Sequence, residues 1–145
     1  MVVATIFDHH MCVGNVGDSR LYVYREGQLQ QITQDHSVVG EMVRKGEMPK
    51  EQARNHPKRN LITRAVGAEK EIRVDFFDET LADGDLVLMC TDGLTSMVEE
   101  KQIEEVLASA VSLQEKTDRL VELANDNGGR DNITIIIIEP FSDEV

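Results

Sequence analysis

The chain predicts an α+β fold in which helices pack on antiparallel sheet, and three observations carry that prediction. Strand-like runs come in two batches with a charged stretch between them. Two amphipathic helical stripes then follow one another with no strand between. A last apolar run closes the pattern. Alternating βαβ units would have interleaved strands and helices along the whole chain, so a parallel doubly wound sheet is excluded.

Taken in order, Val2-Val3-Ala4-Thr5-Ile6-Phe7 is a β-branched strand with no cap or lead-in before it. A domain that opens in mid-strand is expected to be a piece of a longer one. Asp8-His9-His10 reads as a turn and Met11-Cys12-Val13-Gly14-Asn15 as a second strand. Leu21-Tyr22-Val23-Tyr24 and Leu29-Gln30-Gln31-Ile32 flank Arg25-Glu26-Gly27-Gln28, a hairpin signal. The first 34 residues thus read as one antiparallel meander. From 37 to 59 the chain turns charged and is punctuated by Gly40, Gly46, Pro49 and Pro57, an insert between sheet elements. Within it Val38, Val39, Met42 and Val43 would line one face of a short helix, and Pro49 suits the first turn of another. Strands are expected over 72–77 and 86–90, the second entered through the tight turn Ala82-Asp83-Gly84-Asp85.

Ile103, Val106, Leu107 and Ala110 recur at helical spacing as one apolar stripe. Ser112 with Glu115 has the pattern of a capping box that opens a second helix, with Leu120, Leu123 and Ala124 facing the core and Asn127-Gly128-Gly129 ending it. A final strand runs through Ile133 to Ile138, and 141–145 reads as a frayed tail.

Composition bounds the function classes. A length of 145 residues with 41% hydrophobic content suffices for one domain with a real core, built from Val, Ile, Leu and Met because aromatics make up only 4% and Trp is absent. A formal charge of −12 argues against nucleic acid or anionic membrane as a partner and suits a soluble cytoplasmic protein, or one that attracts cations. No apolar run approaches the roughly 20 residues of a membrane span, and no signal-peptide pattern opens the chain. Cys12 and Cys90, both inside apolar runs, read as small buried hydrophobes rather than as a disulfide or a metal pair.

Two acidic tips carry the chemistry. Cys90-Thr91-Asp92-Gly93-Leu94 closes the apolar run Leu86-Val87-Leu88-Met89-Cys90, and Gly128-Gly129-Arg130-Asp131-Asn132-Ile133-Thr134 opens the last one. Each puts an Asp at the mouth of what reads as a fully buried strand. If those strands are neighbours, two carboxylates converge at one sheet end. Two such charges about 4 Å apart repel by roughly 4 kcal/mol at an effective dielectric near 20. Either one takes up a proton or a cation sits between them. Oxygen-only ligands favour Mg²⁺ or Mn²⁺ over zinc. A third tip, Gly14-Asn15-Val16-Gly17-Asp18-Ser19-Arg20, frames Asp18 with two glycines as in a bulge or tight bend. Singly, each Asp is also explained by turn chemistry: Asp92 before Gly93 as a turn, Asp131-Asn132 as a loop cap, Asp18-Ser19 as an Asx turn.

With Ile62-Thr63-Arg64-Ala65-Val66-Gly67 added, these segments stand in the order and rough spacing of the metal-dependent (PPM-type, type 2C) protein serine/threonine phosphatases, and the chain most resembles the C-terminal portion of their small bacterial members. The resemblance implies a two-sheet antiparallel β-sandwich flanked by helices, with N-terminal elements missing, so that 1–145 is a single truncated phosphatase domain. It implies that Asp92 and Asp131 ligate the paired Mn²⁺ or Mg²⁺ centre, that Asp18 with Asp92 holds a third ion, that Gly93 and Asn132 support the tips, and that the insert at 37–59 is a flap beside the site. No catalytic residue beyond metal ligands is implied.

The family's N-terminal phosphate-binding Arg with its acidic metal ligand, and its Asp-Gly-Met-Gly-Gly-His stretch, have no counterpart in these residues. His9, His10, His36 and His56 stand in other contexts. The isolated chain is therefore expected to bind cations weakly, to turn over negligibly, and to self-associate through open sheet edges. The implied partners are phosphorylated proteins, the targets of a cognate serine/threonine kinase. The competing expectation, from a different class, is a non-catalytic pseudophosphatase or cation-binding interaction module.

Overall fold

The structure is a computed structural model that describes residues 1–141. Seven strands form two antiparallel sheets. β1 (Val2–Phe7), β2 (His10–Asn15) and β5 (Asp75–Thr80) make a three-stranded sheet in the order β1-β2-β5. β3 (Arg20–Arg25), β4 (Gln28–Gln31), β6 (Leu86–Cys90) and β7 (Ile135–Ile138) make a four-stranded sheet in the order β4-β3-β6-β7. The helices are α1 (Val38–Arg44), the single turns α2 (Lys50–Ala53) and α3 (Asp92–Thr95), then α4 (Glu100–Ala108) and α5 (Leu113–Asp126).

Strand alternation sorts the apolar side chains into two cores. Met11 and Val13 of β2, Leu21 and Val23 of β3, Leu81 just after β5 and Val87 of β6 fill the space between the sheets, joined by Val2, Ala4, Ile6 and Phe77. The opposite side chains of the larger sheet, Tyr22, Leu86, Leu88 and Cys90, meet Ile103 and Leu107 of α4 and Leu120 and Ala124 of α5. The larger sheet is thus covered on both faces. Ser112 caps α5 by accepting from the Glu115 N–H at 3.2 Å. The buried Lys116 ammonium donates to the carbonyls of Leu107 and Ser109, the orphan acceptors at the end of α4.

Several expectations need correction. The first four strands are not one meander: β2 and β3 belong to different sheets, because Gly17, at φ +109°, turns the chain from one sheet into the other. The strand expected over 72–77 is Asp75–Thr80, since its register with β2 starts at Asn15↔Asp75 and one of its faces is open, which tolerates Asp78 and Thr80. Ala110 lies beyond α4, which ends at Ala108 with Ser109 as its cap. Cys12 is exposed, because among the described residues no layer covers the outer face of the smaller sheet, whereas Cys90 is buried as expected; both thiols are free. β7 is an edge strand and only half-buried, with Ile136 49% exposed, so its apolar run overstated its burial. Phe141 is packed rather than frayed, its ring 4.4 Å from that of His9; the rest of the expected tail lies outside the described residues. α3 was not foreseen, its single turn being too short to show a periodicity.

Candidate metal centre

β6 and β7 pair antiparallel with Cys90 opposite Ile135, so the end of one and the start of the other lie side by side. Three hydrogen bonds tie the tips together: the Thr91 N–H donates to the Thr134 carbonyl at 3.1 Å, the Thr91 hydroxyl to the Asn132 carbonyl at 3.1 Å, and the Thr134 N–H to the Thr91 hydroxyl at 3.1 Å. Gly93 is the contact residue between them. A Cβ built on it would stand 2.1 Å from the Asn132 carbonyl oxygen, so no side chain fits there without separating the tips. Gly93 and Asn132 are therefore in direct backbone contact.

Asp92 opens α3 and Asp131 stands at the facing tip, its carboxylate accepting from the Asn132 N–H at 2.7 Å. Asp18 follows the Gly17 turn. Burial raises the Asp92 carboxyl above its ordinary range, and the negative charges of Asp18 and Asp131 raise it further. Asp18 is raised as well, by burial first and by Asp35, against the pull of its own N–H, the N-terminal ammonium and Arg20. The three aspartates thus share one electrostatic neighbourhood with Asp92 at its centre. Their donor set is carboxylate oxygen alone, which fits a hard divalent cation, and uncompensated like charge is what such a cation would relieve. Among the described residues, however, no group of three or more His, Cys, Asp or Glu side chains is placed so that it could hold a metal ion.

A cleft of about 410 Å³ runs from Asp18 and Asp92 to the insert, which lines it with Lys50, Arg54 and Arg59. The insert is anchored here. Lys50 pairs with Glu100 at 2.8 Å, and the Arg54 guanidinium donates to the Ser96 carbonyl at 3.3 Å. Below them Arg20 holds Asp35 in a fork at 3.0 and 2.7 Å and donates to the Tyr22 hydroxyl at 2.8 Å. Sequence reasoning missed this fork, and it missed a cluster in which buried His36 meets half-buried Asp75 and Arg64. The signal was present: Asp35-His36-Ser37 falls where the hairpin ends and the insert begins, the place at which an insert must be fastened.

The class that this fold defines follows from comparison. Residues 1–42 match the family model Protein phosphatase 2C. The chain is 44% identical over 139 residues to the serine/threonine phosphatase stp of Listeria welshimeri, covering 96% of this chain and 55% of that protein. It superposes on the serine/threonine phosphatase Stp1 of Staphylococcus aureus with a TM-score of 0.92 and 36% identity, over 97% of this chain and 56% of that one. A TM-score of 0.82 and 33% identity relate it to the catalytic domain of the serine/threonine phosphatase PstP in complex with two manganese ions, over 92% and 55% of the two chains. The architecture is that of the PPM-type phosphatases. The chain resembles their bacterial type 2C serine/threonine members, and it spans about 55% of the length of the curated relatives it matches.

Proposed function

We propose that these residues form part of a metal-dependent protein phosphatase that hydrolyses phosphoserine and phosphothreonine by metal-activated water. Asp92 and Asp131 ligate the paired ions, Asp18 with Asp92 holds a third, and Gly93 and Asn132 fix the tips. The observation that carries this reading is the crowding of Asp92 by Asp18 and Asp131 at the joined mouths of β6 and β7. The related PstP structure with two manganese ions supports Mn²⁺ as one occupant, and Mg²⁺ has the same oxygen preference.

When bound, such ions lower the pKa of water toward about 7 and so supply hydroxide at neutral pH. The chain's own residues hold the carboxylates in register through the Thr91–Asn132–Thr134 bonds, and the insert offers Lys50, Arg54 and Arg59 to an anionic phosphoprotein entering the cleft. The insert at 37–59 acts as a flap over that entrance. The substrates are phosphorylated targets of a cognate serine/threonine kinase, and the setting is cytoplasmic. Among the described residues no helix is long and apolar enough to cross a membrane.

The 145 residues make only part of the centre. Without a bridging ligand and a phosphate-holding Arg, positioning and charge stabilisation are both reduced. The purified chain is expected to bind Mn²⁺ weakly but saturably by calorimetry, to lose that binding in Asp131→Ala, and to hydrolyse a small aryl phosphate negligibly. Absence of a saturable site would sink the metal reading. Turnover abolished by Asp131→Ala would show instead that these residues suffice.

A second reading, a non-catalytic pseudophosphatase or cation-binding interaction module, is favoured by one observation: no group of three or more His, Cys, Asp or Glu among the described residues is placed to hold an ion. That module would stay inactive when a segment bearing the Asp-Gly-Met-Gly-Gly-His stretch is supplied in trans. Mn²⁺-dependent turnover recovered by the addition would remove it. Self-association, the remaining proposal about partners, is read by light scattering at high concentration.

A further inference from the structure

We infer that His36 is a positioning residue for the Asp18 carboxylate, and that with Asp75 and Arg64 it ties the base of the insert to the cation site; this rests on the metal reading of Asp18 proposed above. His36 is 2% exposed and touches Gly17, the residue before Asp18, twice. Its backbone N–H donates to the Gly17 carbonyl at 2.9 Å, and its ring Nδ1 accepts from the Gly17 N–H at 3.0 Å. An Nδ1 that accepts leaves the ring proton on Nε2, which lies 2.7 Å from Asp75 Oδ2 and donates to it. Arg64 Nη1 donates to Asp75 Oδ1 at 2.9 Å and to the Arg73 carbonyl at 3.0 Å, and it lies 3.0 Å from the same Nε2. Asp75 is thereby held from two sides and fixes the tautomer and the ring plane.

The consequence concerns the one glycine in the turn that precedes Asp18. Gly17 sits at φ +109°, a region that specifies no single conformation for glycine, and the direction of the Asp18 carboxylate follows from its torsions. The flanking anchors, Asn15 Nδ2 to the Gln34 carbonyl at 3.0 Å and Arg20 to Asp35, fix the ends of the turn. Within it Val16 is tied to Met1, its N–H donating to the Met1 carbonyl at 2.9 Å, and among the described residues Gly17 is held by His36. The same residue also starts the insert: its carbonyl accepts from the Thr63 N–H at 2.8 Å, and Ser37 bridges to Ile62. One residue therefore touches, through its ring, the turn that aims a cation ligand and, by way of Asp75, the edge of the smaller sheet, and through its backbone carbonyl the segment at Thr63. Groups that orient ligands from behind in this way commonly change metal affinity 10- to 100-fold when they are lost.

The two ring nitrogens allow a test that separates positioning from mere packing. His36→Asn keeps an acceptor where Nδ1 stands and loses the donor to Asp75. His36→Gln keeps a donor near Nε2 and loses the acceptor for Gly17. In each protein the Asp18, Asp92 and Asp131 backbone resonances are followed by NMR during Mn²⁺ titration, with exchange of the Gly17 amide measured before metal is added. We expect the Mn²⁺ concentration that half-broadens Asp18 to rise roughly tenfold in His36→Gln and to stay within about threefold of wild type in His36→Asn. Faster Gly17 exchange should appear in the Gln variant alone. Asp75→Asn, a milder change at the sheet edge, is the second arm and should raise the Asp18 midpoint by about threefold if His36→Gln fails to fold. Equal midpoints in wild type and variants would overturn the assignment, as would equal losses in the Asn and Gln variants. Broadening of Asp92 and Asp131 without Asp18 in the wild type would overturn it while leaving the paired centre intact. No broadening at any of the three would remove the metal reading itself.

Discussion

The two sheets are built from similar strands, yet they meet solvent differently. The four-stranded sheet is covered on one side by the other sheet and on the other by α4 and α5, so Tyr22 and Leu88 have no exposure at all. The three-stranded sheet has a covered inner face and an open outer one, on which Val3, Phe7 and Phe76 are 50%, 84% and 70% exposed. Apolar sequence is therefore a poor guide to burial in one sheet and a good one in the other. What differs is the presence of a second layer, and the stability of each sheet should follow that layer rather than strand propensity.

The largest effect expected from this contrast is in the doubly covered sheet. Leu88→Ala should cost about 3–4 kcal/mol in urea unfolding, because the site is walled by α4, α5 and β3 and cannot collapse. A loss under about 1.5 kcal/mol would mean the helical layer packs loosely. Next comes Gly93→Ala, expected to cost about 2–3 kcal/mol by overpacking against the Asn132 carbonyl and to weaken Mn²⁺ binding as the tips part. Calorimetry on the same variant checks both effects.

An ion pair at the far end of the sheets ranks third. Arg25 of β3 forks onto Asp85 at 3.0 and 2.6 Å and donates to the Thr80 carbonyl at 2.8 Å, linking the turn into β6 with the end of β5. Arg25→Met should cost about 2 kcal/mol, since Asp85 is only 2% exposed and keeps just the Ala82 N–H. The pair also sets an acid response. Burial by itself would raise Asp85, but hydrogen bonds from Arg25 and Ala82 and the Arg25 charge outweigh it and the carboxyl is lowered. Asp75 is likewise lowered, with His36 and Arg64 overcoming burial. Both groups hold protons less tightly folded than unfolded. Their stabilisation is thus present above the ordinary carboxylate range near about pH 4 and is lost as pH falls through their lowered values. Unfolding followed from pH 6 downward should show this decline, and a shallower one in Arg25→Met. The smallest effect belongs to the open face: Phe76→Thr should change stability by less than about 0.5 kcal/mol and reduce any association seen by light scattering.

The strands, both long helices and the convergence of two tips were legible because periodicity and glycine placement are local signals. The Ser112 cap and the Asn127-Gly128-Gly129 stop read correctly for that reason, although the Glu115 side chain does not complete the expected capping box and pairs with Arg119 instead. Assignment of strands to sheets was not legible: nothing in Val16-Gly17-Asp18 announces that the chain leaves one sheet for another. Burial of Cys12 and Ile136 was misjudged because an apolar residue does not state whether a second layer covers it. For the candidate site the aspartates were visible as residues beside glycine, while Arg20–Asp35 and His36–Asp75 were hidden, being pairings across 15 and 39 positions.

The cysteines have a practical consequence. Cys90 is buried and its thiol is pushed up to about 12, so it stays protonated and out of reach of electrophiles. Cys12 lies at the middle of the uncovered face, between Thr5 and Asp78. The wild-type chain can therefore carry a single fluorophore or spin label without engineering, at the point where any covering layer would first be felt.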